Sequence, residues 1–394
     1  MNPNHPPHLI TLIMLSAASM LSVNMFLPSL VNIASDLNVS YAVATLLLSA
    51  YLGLTVVLHL TMGPLSDRFG RRPIILVSLV IFLIGSIGCL LATDFATFLG
   101  FRLMQCTIVV GMSLSPAIIR DTHPPQESAS KIGYVNMAWA LAPMLGPLLG
   151  GTLDELFGWR ANFMAFTLLG VGILVLCWFD LGETHVDRSS TFLNQIKAYP
   201  RLFGDPRFWG YSMCMAFSVG AFYVFITGVP LVAEQILQVS PSVLGILIGS
   251  ITAGFVVGNF VSGRIASRVA IPTMMISGRL VGGLGLVVGL FSIALGGLNM
   301  WVLFGSTIFV GIGNGLTMPS ASSGAISVQP EIAGSITGLS NAILVTVATL
   351  ITITTGTVIA ESNGPQALLG MMLACVVLSL VAALLVKRTD RSIA

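Results

Sequence analysis

The chain has 394 residues, 55% apolar and only 8% charged, with 17 basic and 15 acidic side chains and a formal net charge of +2. A soluble globular protein carries roughly 25% charged residues, so a cytosolic enzyme, a nucleic-acid binder and a disordered chain are excluded. The mean hydropathy of +0.95 and the length of the apolar runs point to the bilayer as solvent.

A membrane-crossing helix needs about 20 apolar residues at helical rise. Twelve such runs follow one another, at 9–33, 42–62, 74–92, 95–118, 132–153, 161–179, 209–232, 243–262, 273–296, 299–321, 333–358 and 366–386. They lack the alternation of a barrel strand, so helices are the economical way to satisfy their backbone. The first run is preceded by no Lys or Arg and followed by no small-residue cleavage site, and it reads as a retained span. Cys89, Cys106, Cys177, Cys214 and Cys375 all lie inside apolar runs without C-x-x-C spacing, which suggests neither a disulfide frame nor a metal site.

Lys and Arg set the orientation. With the N-terminus inside, fourteen basic residues fall on cytoplasmic segments, only Arg160 on an outer loop, and Arg102 and Arg279 within spans. That asymmetry requires both termini in the cytoplasm. The longest polar stretch follows the sixth run and divides the chain into a six-helix bundle at 1–180, a cytoplasmic linker at 181–208 and a second bundle at 209–394. A short echo supports the division. Gly63-Pro-Leu-Ser-Asp-Arg68 follows the second run, and Gly263-Arg-Ile-Ala-Ser-Arg268 follows the eighth. Such parallel repeats build transporters with a central site.

The segment from Gly63 to Pro73 resembles the signature loop between the second and third spans of the major facilitator superfamily. Gly63 and Gly70 permit a tight turn, Asp67 is placed to cap a helix or pair with a base, and Arg68, Arg71 and Arg72 hold the inner face. The resemblance implies a gate latch at this loop, joined by Arg120 and Asp121 at the end of the fourth span. Pro143, Gly146, Pro147 and Gly150 in the fifth span resemble the glycine- and proline-rich motif of the superfamily's antiporter branches. In the fourth span, Phe101-Arg102-Leu-Met-Gln105 resembles the family segment that places an arginine near the translocation path, with Cys106 where relatives often carry Gly. With Gly158-Trp159-Arg160 opening the sixth span, the chain looks like a member of the twelve-span drug:proton antiporter branch, of the bicyclomycin/chloramphenicol-resistance (Bcr/CflA) type. The implied fold is all-α, twelve transmembrane helices in two six-helix pseudo-repeats.

One departure bears on mechanism. Asn24 stands where the branch typically carries a titrating aspartate. Asn cannot change charge, though it can donate and accept hydrogen bonds. Asp36, Asp94, Asp154, Glu155, Glu234 and Glu361 fall near the outer face, the other acids near the inner face, and none in the middle of a span. His59, with an ordinary pKa near 6.5, and Asp36 are the candidate proton carriers. His59 also reads as a hydrogen-bonded interfacial histidine near the inner membrane face. Asn24 itself admits three readings: coupling elsewhere, an uncoupled facilitator, or an altered aspartate.

A membrane interior with Arg102 and Arg279 but no carboxylate favours neutral or anionic organic substrates. Asn24, Tyr51, Arg102, Asn136, Trp139, Tyr223 and Asn341 are the candidate substrate contacts. The expected protein is a monomeric, multi-pass inner-membrane transporter of a small molecule, coupled to protons and surrounded by lipid. It needs no cofactor or metal. The enzyme reading fails for want of a G-x-x-x-x-G-K, G-x-S-x-G or H-E-x-x-H motif. An uptake carrier or facilitator is the nearest alternative, and a receptor or scaffold a distant one.

Overall fold

A computed structural model describes residues 7–123, 125–184, 204–265, 268–328, 333–361 and 364–393. Among them there is no strand. The chain divides into two compact units, Met1–Phe192 with Ser240–Gly245, and Leu193–Val239 with Ile246–Ala394. Eleven helical stretches among the described residues are long and apolar enough to cross a membrane.

In the first unit the opening span is interrupted. Helix α1 (Leu9–Asn24) gives way to a 3-10 turn at Leu27–Ser29 and resumes as α2 (Leu30–Asp36). Pro28 in that turn offers no N–H and clashes with a continuing helix, so the run expected as one helix breaks there. A short α3 (Tyr41–Ala44) precedes α4 (Leu46–Phe69), followed by α5 (Arg71–Leu91). The fourth span is also composite, α6 (Phe95–Gln105) and α7 (Val110–Thr122) joined by a 3-10 turn at Cys106–Val109. Asp94 starts it by accepting a hydrogen bond from the Thr97 N–H at 2.9 Å, a contact that holds the Asp94 carboxyl below its usual range. The unit ends with α8 (Pro125–Phe157) and α9 (Arg160–Asp180). Helix α8 covers the run expected at 132–153. It continues through Pro143 and Pro147 and is not among the eleven membrane candidates.

The second unit contains α10 (Pro206–Gln235), α11 (Pro241–Ile265) from Ile246 onward, α12 (Ile271–Ala294), α13 (Met300–Val328), α14 (Ala333–Glu361) and α15 (Gly364–Ile393). Helix α10 packs on α13, α14 and α15, and α12 on α13 and α15.

Surface and core are divided as hydrocarbon solvent requires. Leu91, Phe179, Leu284, Phe291, Leu295 and Trp301 are exposed, whereas serines, threonines and both mid-span arginines are buried. The first unit's core is a run of rings. Phe163 stacks edge-on against Phe98, Trp159 and Phe166, with ring centroids 5.0–5.8 Å apart. Aromatic pairs prefer that geometry.

Helix α8 lies against the break in the first span. A Cβ on Gly150 would overlap the Met25 carbonyl, whereas one on Gly146 would meet the Asn24 Cβ at an ordinary 3.5 Å. The two glycines therefore differ in what they permit. Gly150→Ala is expected to cost about 1–3 kcal/mol of overpacking strain, and Gly146→Ala little. Thermal unfolding read by a thiol dye checks this, because all five cysteines are buried and react only as the fold opens.

Candidate functional site

Among the described residues Arg102 is, with Arg279, one of the two largest fully buried side chains. It sits about 10 Å along the fourth span from Phe95. One guanidinium nitrogen, Nη2, donates to the Ser22 carbonyl at 2.5 Å. The other, Nη1, donates to Gln105 Oε1 at 2.6 Å and to Ser22 Oγ at 3.3 Å. Gln105 is anchored in turn by donating to Ser86 Oγ on α5 at 2.8 Å. The guanidinium plane lies between two rings, 4.2 Å from the Phe26 centroid and 4.4 Å from that of Tyr51. The Tyr51 hydroxyl donates to Ser22 Oγ at 3.3 Å.

A charged residue at mid-span costs at least ~2.5–3.5 kcal/mol on insertion scales. Two desolvated cation–π contacts return about 2 kcal/mol each, and charge-assisted hydrogen bonds add to that. The cluster therefore holds its cation without any carboxylate among the described contacts. It is made by α1, α4, α5 and α6, all of the first unit.

Two of the sequence candidates, Tyr51 and Arg102, meet here. Asn24 does not join them. It is buried, and its side-chain amide donates to the Met20 carbonyl of its own helix at 2.9 Å. Ser22, Phe26 and Gln105 complete the cluster and were not picked out as contacts. Gln105 lies in the same motif three residues from Arg102, one helical turn on, and that spacing was the available signal. Tyr223 is half-buried and edges onto Phe222 at 5.8 Å, and Asn341 is exposed. Asn136 and Trp139 lie on α8, but their side chains fall outside the described residues.

Around the turn from α4 to α5 a polar network forms, different from the one expected. Arg71, buried, donates from Nε to Asp121 Oδ2 at 3.2 Å and from Nη1 to Ser66 Oγ. Glu183 caps the start of α5, accepting from the Arg71 N–H at 2.9 Å and the Arg72 N–H at 3.4 Å. Gly70 makes this possible twice over. Its φ of +99° suits glycine, and any Cβ there would collide with the Glu183 carboxylate. Arg72 donates to the Trp178 carbonyl at 3.0 Å and lies 5.7 Å from that ring's centroid.

Arg120, expected in this network, is exposed and donates to the Pro116 carbonyl of its own helix at 3.3 Å. Adjacent residues on α7 point in different directions, so Asp121 faces Arg71 while Arg120 turns away. Arg68 is exposed and packs over Phe69. The surroundings of Gly63 and the side chain of Asp67 lie outside the described residues. Nearby, Asp180 accepts hydrogen bonds from the His8 ring and backbone and, at 2.5 Å, from the Thr11 hydroxyl, tying α9 to the start of α1.

The proton-carrier candidates are both engaged. His59 hydrogen-bonds Ser113 Oγ at 3.0 Å between α4 and α7. Asp36 pairs with Arg160 at 2.6 Å and accepts from Trp159 Nε1 at 3.2 Å, joining the end of α2 to the start of α9. In the second unit, Arg279 is likewise buried and donates to Thr317 Oγ1 at 3.0 Å and Asn314 Oδ1 at 2.9 Å. It is held by neutral oxygens rather than snorkelling to a surface. The echo loop keeps Arg264 over the Phe260 ring, and its Ala266 and Ser267 are outside the described residues.

In each unit apolar-surfaced helices enclose an arginine held by neutral partners, as a protein that spans the membrane requires. The sequence matches the model of the Major Facilitator Superfamily over residues 12–352, and the chain belongs to that family. Among its relatives, the "Bicyclomycin resistance protein homolog" of Haemophilus influenzae is 28% identical over 95% of this chain and 94% of that protein. The "Chloramphenicol resistance protein" of Pseudomonas aeruginosa is 29% identical over 81% and 76%. A solved bacterial homolog to the human lysosomal transporter Spinster aligns with a TM-score of 0.78 at 18% identity, covering 97% of this chain and 96% of that one, and so shares the fold. The chain is thus a multi-pass membrane protein of a transporter family, not an enzyme, and the resemblance to the bicyclomycin/chloramphenicol-resistance branch holds.

Gln105→Leu removes one acceptor from Arg102 while keeping side-chain volume. Leaving a buried charged donor short of a partner should cost about 1–3 kcal/mol. The drop in thermal midpoint should exceed that of Gln105→Glu, which restores an acceptor.

Proposed function

We propose that this protein is a secondary exporter of small organic compounds, neutral or anionic, working by alternating access with protons flowing inward. The observation that carries the reading is the Arg102 cluster, a buried cation held by Ser22, Gln105, Phe26 and Tyr51 without a carboxylate among the described contacts. An organic cation gains nothing from such surroundings, whereas a neutral or anionic molecule meets a favourable potential. The names of the relatives, one for bicyclomycin and one for chloramphenicol, supply probes of that kind. Arg102 acts here through its charge, since it, Tyr51 and Ser22 are all fully buried. Asn24 contributes hydrogen-bonding capacity along α1, Asn136 and Trp139 are further contacts from α8, and Tyr223 and Asn341 are the second-unit candidates. The Gly63–Arg72 segment, the end of α4 and the turn at Gly70 into α5, acts with Asp121 as the inner latch, and His59 and Asp36 are the sequence candidates for carrying the proton.

In this reading the protein is a monomer in the inner membrane, with α8 as a twelfth span and both termini in the cytoplasm. Fusions check the topology: green fluorescent protein joined after Ala394 should fluoresce, and alkaline phosphatase at the same place should be inactive. An active phosphatase there overturns the orientation.

Export itself is tested in a drug-susceptible host. Expression should raise the tolerated concentration of chloramphenicol, and collapsing the pH gradient should remove the gain. Arg102→Lys, which loses the planar fork and its ring stacking, should abolish tolerance with the protein still in the membrane. A second reading, an uncoupled facilitator, is favoured by Asn24. It predicts chloramphenicol movement in vesicles that is indifferent to the pH gradient.

A further inference from the structure

Gly146, Gly150 and Asp154 lie four residues apart on α8 and so form one stripe along it. The stripe runs beside the break in the first span. Gly146 faces Asn24, Gly150 faces the Met25 carbonyl, and one turn further Asp154 accepts a hydrogen bond from Asn32 Nδ2 at 2.8 Å. The Ser29 hydroxyl lies near the same carboxyl. Ser29 Oγ also accepts from Asn162 Nδ2 at 3.0 Å, and Asn162 reaches the Gly150 carbonyl at 3.3 Å.

Asp154 therefore does not stand free at the surface as its place near the end of the run suggested. It is only 6% exposed, and the contacts described around its side chain are neutral. From the first span the facing groups are Ser29 and Asn32. Asp36, a turn beyond, is occupied by Arg160. From α9 the facing group is Asn162, while Arg160 spends its remaining contacts on Asp36 and the Ala92 carbonyl. On α8 itself, Glu155 is exposed and accepts from the Ser242 N–H at 3.2 Å. A carboxylate withdrawn from water with no cation beside it is disfavoured as an anion and accepts a proton readily. The cluster has a place for the change, since Asn162 Oδ1 is buried with no hydrogen-bond partner. A proton gained by Asp154 has the Ser29 hydroxyl oxygen nearby as an acceptor.

We propose that Asp154 is the proton-binding carboxyl of this transporter, standing across the seam between α8 and the first span from Ser29 and Asn32, two helical turns from Asn24, with Ser29, Asn32 and Asn162 as its neutral surroundings. The site sits at the break of the first span, so gain and loss of the proton act where that span is least regular. His59 and Asp36 are less suited. The first is a neighbour of Ser113 away from this seam, and the second is held charged by Arg160.

The proposal rests on the transport reading, and the test separates the two. Purified protein is reconstituted in proteoliposomes with radiolabelled chloramphenicol as probe. Counterflow is measured without a gradient, and accumulation with an imposed pH gradient. In Asp154→Asn, gradient-driven accumulation should be lost while counterflow persists, and Asp154→Glu should recover accumulation. Unimpaired gradient-driven accumulation by Asp154→Asn overturns the proposal. In parallel, infrared difference spectra of the detergent-purified protein are recorded across a pH titration, with no substrate present. A protonated-carboxyl band that titrates in the wild type and is missing from Asp154→Asn supports the proposal even if the variant loses counterflow. An unchanged band overturns it. A wild type inert in both transport arms counts against chloramphenicol export, and the infrared arm then still decides on Asp154.

Discussion

A charge taken out of water into hydrocarbon has to be answered by the chain itself, and the first unit is arranged around one such charge. Arg102 draws on four helices at once. The Ser22 carbonyl and hydroxyl come from α1, Tyr51 from α4, Ser86 through Gln105 from α5, and Gln105 from its own α6. Each partner is neutral, and each is itself tied to something else. The Arg102 Nε is buried without a partner, whereas both terminal nitrogens are engaged, and those contacts constrain how these helices face one another. The second unit meets the same requirement with other residues. Arg279 leans on Thr317 and Asn314, and Asn314 donates onward to the Ser218 carbonyl of α10.

Glycine decides where helices can come close, and proline where they stop being helices. In the first unit the two effects meet. Pro28 interrupts the opening span, and Gly150 lets α8 press against the carbonyl of Met25 just before the interruption. Of the polar groups of that region, Asn24, Ser29, Asp154 and Asn162 are buried and Asn32 half-buried, because an irregular backbone is tolerated at membrane depth only where protein covers it.

Much of this was legible in the sequence, for reasons that are themselves physical. Apolar runs of span length have few alternatives to helix, and the motif around Arg102 and Gln105 carried the family. Three things were hidden. Helix direction set Asp121 rather than Arg120 toward Arg71, and a choice between neighbours on a helix surface depends on a rotation of about 100° that composition does not report. Glu183 capping α5 is a contact across 112 residues, invisible to any local pattern. Asp154 looked like a surface acid because it sits near the end of an apolar run. Depth along one helix says nothing of what the neighbouring helices bring to cover it.

The first span is fastened at each end to the same partner. At the end where the chain begins, Thr11 and His8 hold Asp180 of α9. At the other, Asp36 holds Arg160 of α9. Between the two fastenings the span has lost its helical ladder at Leu27–Ser29. It is thus strung like a bowstring against a straight limb, with its one slack point in the middle. A segment tied this way cannot slide or swing as a rod. Any work done on it is taken up as local bowing beside Asn24 and Ser29, so a small change in hydrogen bonding there has more mechanical purchase than the same change at either tied end.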